Sequence, residues 1–187
     1  LDDSKHMPGV VAVANDLTRR FDARLVGLYA VHAAAEIHGL QEPWFAAGLQ
    51  GYADKLDQRA GQCADAFEQS TRSALGNAAE FRRAHQDPAG AITVQARYAD
   101  LIVIGQRDPE ESATGVPPSL VEKTVLSVGR PMLVVPYYTD AYSKLGSIVL
   151  VAWSGTRESV RAVRDALPLL QSAENVVIMA VNPSVSR

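Results

Sequence analysis

The sequence holds a single cysteine, Cys63, among 187 residues. It cannot carry an internal disulfide framework, and it fits a reducing compartment. No apolar run approaches the ~20 residues needed to span a bilayer, and the opening LDDSKHMPG lacks the basic and then apolar layout of a secretion signal. The expected location is therefore cytoplasmic. An excess of charge of one sign is also missing, because 18 basic residues against 21 acidic ones leave a net charge of -3. Such a balance offers no electrostatic footprint for nucleic acid or an anionic membrane, and neither partner is expected. G-x-S-x-G, H-E-x-x-H and G-K-[ST] are all absent, and no catalytic group stands out. The expectation is that the protein is not an enzyme.

What is present is the composition of a soluble globular chain, 47% hydrophobic and 21% charged, long enough for one substantial core and short for two full domains. The most informative stretch runs from Ala99 to Pro136. Leu101 to Ile104 is an unbroken, mostly branched apolar run stopped by Gly105, the pattern of a parallel strand buried on both faces. Ser119 and Glu122 have capping-box spacing, and Val121, Val125 and Val128 follow as an apolar helical stripe. Gly129 and Pro131 end that helix, and Met132 to Val135 supplies a second strand. Strand, crossover helix and parallel strand make a unit whose intervening loop, Gln106 to Pro118, lies at the carboxyl end of the sheet, where α/β folds bind ligands.

Elsewhere, Asp2, Asp3 and Ser4 cap a helix striped by Val10, Val13, Ala14, Leu17 and Phe21. Leu25 to Val31 reads as a buried strand, and residues 33 to 49, with Pro43, Trp44 and Phe45, as a long loop. Next comes a helix with Tyr52, Leu56, Ala60, Cys63 and Phe67 on one face, stopped by Gly76 and Asn77. On that face Cys63 reads as a core thiol. Glu80 to Arg82 suggests a short strand. Asp87 and Pro88 open a helix with Ile92 and Ala96 inward. The fold class is α/β, doubly wound, with a mostly parallel sheet and helices on both faces.

An internal repeat is visible at an offset of 152, the difference between Ser154 and Asp2 in number. It pairs Val11 with Val163, Ala14 with Ala166 and Val26 with Ile178. Ile148 to Trp153 reads as a buried strand, Val160, Val163, Leu167 and Leu170 as a helical stripe, and Val176 to Val181 as another strand. The expected organisation is a first unit over residues 1–138, lacking most of its first strand, a linker over 139–146, and the start of a second unit over 147–187. The strand from Ile148 is expected in a sheet of its own rather than beside Leu101 to Ile104.

The run ADLIVIG, a loop, and then SLVEKTVLSVGRPMLVVP resembles the signature segment of the universal stress protein (UspA) family, and the likeness extends over nearly the whole sequence. LDDS is similar to that family's turn after its first strand, and QDPAGAI to its GDPAxxI. The resemblance implies a stress-response protein of tandem type that acts through conformation, as a homodimer or through intramolecular pairing of units, with a protein partner. It also implies an adenine-nucleotide site at Asp2, Val31, Ile104, Gly105, Arg107, Asp108, Pro118, Ser119 and Leu120. The family's three loop glycines fall on Gly105, Asp108 and Pro118, so two of them are replaced.

Asp108 brings a negative charge, with Glu110 and Glu111 behind it, to a place where backbone should approach phosphate. Two like charges ~4 Å apart repel by roughly 4 kcal/mol at an effective dielectric of about 20. Pro118 has no N–H to donate. Arg107 can offset one charge, and Ser119 with its helix amino terminus still offers donors. ATP binding by the first unit is thus disfavoured, and no cofactor is assigned. A nucleotide-binding sensor or slow ATPase is the alternative reading. His32, Glu36 and His38 share a stretch but have no metal-ligand spacing of known type, and no metal is expected.

Overall fold

The computed structural model describes residues 1–30, 43–111, 117–138 and 145–180, without the side chains of 43–50 and 52. The chain divides into two compact units, Leu1–Ala141 and Tyr142–Arg187.

In the first unit, Asp2 turns the chain before the first helix, its Oδ1 accepting from the Ser4 amide at 3.1 Å and the Ser4 hydroxyl at 2.6 Å. Helix α1 then runs over Met7–Arg20, with Pro8 in its first turn and His6 at the N-cap. Thus Asp2 and Ser4 cap the turn rather than the helix, since Pro8 is pre-set for a first turn and moves the helix start beyond them. Strand β1 (Leu25–Ala30) leads to helix α2 (Pro43–Leu75), which ends where Gly76 takes φ +54°. The expected loop over 33–49 is corrected from residue 43 onward. Proline suits a first helical turn, and Pro43 opens the helix instead of interrupting a loop. Strand β2 (Ala79–Ala84) lies parallel to β1, Leu25 facing Ala79 and Ala30 facing Ala84.

The core forms where α1 and α2 close over β1. Met7, Val11, Tyr29, Ala60, Cys63 and Phe67 are buried together, with Leu1, Leu25, Leu56 and Phe81 packed at the margin. Phe67 is 2% exposed, and truncating such a ring to alanine costs about 3–5 kcal/mol. Gly27 is required beneath it: a Cβ there would stand 2.7 Å from Phe67 Cε2 and 2.7 Å from Leu1 Cδ1.

Helix α3 (Pro88–Ala96) has the expected cap, with Asp87 Oδ2 accepting from the Gly90 amide at 2.9 Å. Strand β3 (Ile102–Gly105), helix α4 (Leu120–Ser127) and strand β4 (Met132–Val135) follow, and β3 and β4 pair in parallel as expected. Three details differ from expectation. The residues of β3 are half-buried rather than buried on both faces. In α4, Leu120 and Thr124 are the buried positions while Val125 is 53% exposed, so the inward face is turned about one residue from the valine stripe. Ser119 makes no side-chain cap bond, and the capping box with Glu122 does not form. Among the described residues the unit has two parallel pairs, β1–β2 and β3–β4, rather than one hydrogen-bonded sheet. Helix α1 packs against β1, β3 and β4 and so bridges the two pairs.

The second unit holds β5 (Ile148–Ala152), α5 (Arg157–Asp165), α6 (Leu167–Gln171) and β6 (Asn175–Met179), with β5 and β6 parallel in a sheet of their own. Thr156 caps α5, and the single helix expected here is split before Leu167, with Pro168 in the first turn of α6. No described residue of this unit is buried. Ile148, read as part of a buried strand, is 72% exposed, and Ile178 69%. The physical reason is that two strands and two short helices make too few layers to enclose a side chain. Past the end of β5, Trp153 still donates its amide to Met179 O at 2.8 Å and so prolongs the pairing with β6. The expected end of the last strand, Val181, lies outside the described residues.

Candidate functional site: the loop after strand β3

The loop begins where β3 stops. Ile104 and Gly105 are paired with Val134 and Val135, and the Gln106 amide still donates to Val135 O at 2.7 Å. Gly105 lets α1 approach, for a Cβ there would meet Val10 Cγ2 at 3.0 Å. From Arg107 the chain leaves the sheet and folds back towards the start of α1. Asp108, only 8% exposed, is gripped from several sides. Its Oδ1 accepts from the Glu110 amide at 2.9 Å, and its Oδ2 lies 3.1 Å from His6 Nε2 and 3.2 Å from Lys5 Nζ. The Glu110 amide first, and then His6 and Lys5, hold the Asp108 carboxyl down to about 2. Lys5 is correspondingly raised, chiefly by its hydrogen bond to Asp108.

Glu111 completes the clasp: its Oε1 accepts from the Lys5 amide at 3.3 Å and its Oε2 lies 3.9 Å from His6 Nε2. That Oε2 is buried and finds no hydrogen-bond donor among the described residues, and neither does Arg107 Nε find an acceptor. Arg107 Nη2 reaches back to Glu111 O at 3.5 Å. Tyr137, just past β4, backs the His6 ring edge-to-face with centroids 6.0 Å apart.

Of the candidate nucleotide residues, Gly105, Arg107 and Asp108 thus line one continuous loop. Asp2 belongs to the turn that carries Lys5 and His6, and it spends its carboxylate on Ser4. Pro118 and Ser119 form the turn before α4, where Pro118 is exposed, Ser119 half-buried and Leu120 buried. The Leu120 amide donates to Pro117 O at 3.0 Å. Val31 lies outside the described residues, as do His32, Glu36 and His38. Sequence reasoning missed Lys5, His6 and Glu111 as partners. The available signal was complementary charge, a Lys-His pair after the first turn and an Asp-Pro-Glu-Glu run after β3.

Parallel strand pairs joined by helices, with a loop at the carboxyl end of β3 folded against the start of α1, define an α/β protein of the kind that places ligands at strand ends. No family model and no curated protein matches the chain. Among solved structures it is similar to the universal stress protein UspA from Lactobacillus plantarum, at 22% identity and a TM-score of 0.56, over 72% of this chain and 92% of that one. A universal stress protein from Archaeoglobus fulgidus matches at 14% identity and a TM-score of 0.44, over 70% and 90% of the two chains. The fold is that of the universal stress proteins, resting on the first of these likenesses. Among the described residues no helix is long and apolar enough to cross a membrane.

Proposed function

We propose that this is a non-enzymatic universal stress protein of tandem type, cytoplasmic, which acts through its conformation and through pairing with itself or a protein partner, and whose first unit has given up ATP. The observation that carries this reading is Asp108. The resemblance puts a phosphate-facing glycine at this position, and here a buried carboxylate occupies it, tied to Lys5 and His6. A triphosphate would have to break those bonds and then tolerate the acid it displaced, with Glu110 and Glu111 adjacent. Pro118 removes a further backbone donor.

A second reading, an adenine-nucleotide sensor or slow ATPase, draws support from Ser119, whose side chain makes no cap bond at the start of α4. Two measurements separate the readings. Heat release and chromatography of the purified protein should yield no adenine nucleotide, and titration calorimetry with Mg-ATP should give no heat of binding. Asp108→Gly combined with Pro118→Gly should make binding measurable. Tight ATP binding by the unaltered chain would overturn the first reading in favour of the second.

A further inference from the structure

We propose that His6, Asp108 and Glu111 form a binding site for a divalent transition-metal ion, a reading that stands apart from the nucleotide question. One nitrogen and two carboxylate oxygens, His6 Nε2, Asp108 Oδ2 and Glu111 Oε2, all lie within 4.8 Å of one another. Donors bonded at about 2.0–2.2 Å to one ion stand roughly 3–3.5 Å apart. The His6–Asp108 separation of 3.1 Å already has that value, and the His6–Glu111 separation of 3.9 Å needs only a small closure. The donors come from two elements, His6 from the start of α1 and the acids from the loop after β3. Neither acidic clustering nor helix capping therefore accounts for their meeting.

A second observation separates this arrangement from an ordinary ion pair. Lys5 Nζ neutralises Asp108, but it leaves Glu111 Oε2 buried and without a donor. A buried carboxylate oxygen that lacks a hydrogen-bond donor, with the His6 ring no nearer than 3.9 Å, is costly, and a cation seated between it, Asp108 and His6 would satisfy it. Lys5 is the movable piece: its side chain is 65% exposed, and its ammonium can swing into water as the ion enters. Tyr137 steadies the imidazole from behind. A set of one imidazole and two carboxylates suits zinc and its first-row neighbours better than calcium or magnesium, which prefer oxygen alone. Bound there, the ion would pin the loop after β3 to the start of α1.

The test is calorimetric titration of zinc into the whole chain after removal of metal by chelation, with cobalt as a spectroscopic substitute. Zinc should bind with one ion per chain, and His6→Gln and Glu111→Gln should each weaken it by about tenfold or more. Lys5→Ala should tighten binding, because it removes the competing ammonium. A purely structural ion pair predicts no such gain. The cobalt form should lack thiolate charge transfer, since Cys63 is buried in the core. Unchanged far-ultraviolet circular dichroism in each variant shows that the fold is intact. Absence of zinc binding, or binding that His6→Gln and Glu111→Gln leave unchanged, would overturn the proposal.

Discussion

Single side chains in the first unit are set by whether their polar atoms find partners. Thr124 is 0% exposed, and its hydroxyl has no hydrogen-bond partner among the described residues. Exchanging that hydroxyl for a methyl of the same shape removes an unmatched polar group, so Thr124→Val should raise stability by about 1 kcal/mol in urea unfolding. A loss of stability would mean that the hydroxyl is satisfied in solution. Cys63 and Tyr29 show the same principle in titration. Burial pushes the Cys63 thiol from 9.0 up to about 11 and the Tyr29 phenol from 10.0 up to about 12. For an acid raised in the folded state, the unfolded chain loses its proton first, so the stabilisation is complete below about pH 9 and drains away as pH rises to about 12. Thermal unfolding should therefore show a falling melting temperature from about pH 9 upward, shallower at its start in Cys63→Ala. A stability flat from pH 9 to pH 11 would contradict the burial of this thiol.

Elements differ in how plainly the sequence announces them, and the difference is one of range. The cap of α3 is written in two adjacent residues, and Asp87 does what its position says. Asp87→Ala should cost about 1 kcal/mol, whereas Leu126→Lys on the outer face of α4, where Leu126 is 87% exposed, should stay within about 0.5 kcal/mol. Paired denaturation curves check both, and a large loss at Leu126 would contradict the exposure of that side chain. Strands β3 and β4 were legible because an apolar run bounded by glycine or proline is a local signal, and β1 because Leu25 to Val31 is an apolar run broken only by Gly27. The rotation of α4 was not, since it depends on which neighbour, α3 or a strand, lies closest. The start of α2 was misread because Pro43 has two local meanings, loop and first helical turn. At the loop after β3, the replaced glycines were visible in the sequence. The grip of His6 on Asp108 was not, because 102 positions separate them and nothing local to either names the other.

At the scale of the molecule, each unit contains a strand, a helix and a parallel strand in that order, but among the described residues buried positions occur only in the first. Around α1 and β1 the second layer is α2, whose Ala60, Cys63 and Phe67 seal Met7, Val11 and Tyr29. Around α5 and β6 no described element plays that part, and Leu150, Val160, Val177 and Ile178 are each more than half exposed. Apolar pattern in a sequence states what a segment is suited to bury against, and coverage depends on what else is folded beside it. Local stability follows coverage, because opening a segment with few buried contacts breaks little. Native-state hydrogen exchange on the whole chain should then show two classes: amides of β1, α1 and the middle of α2 exchanging only on global unfolding, and amides of β5, α5 and β6 exchanging through much cheaper local opening. Limited proteolysis should cut in the second unit first and leave the first intact. If protein concentration slows exchange in the second unit alone, a second copy of the chain covers its apolar surface. Exchange as slow in β5 and β6 as in β1 under dilute conditions would show that their side chains are covered in the single chain, against the exposure described here.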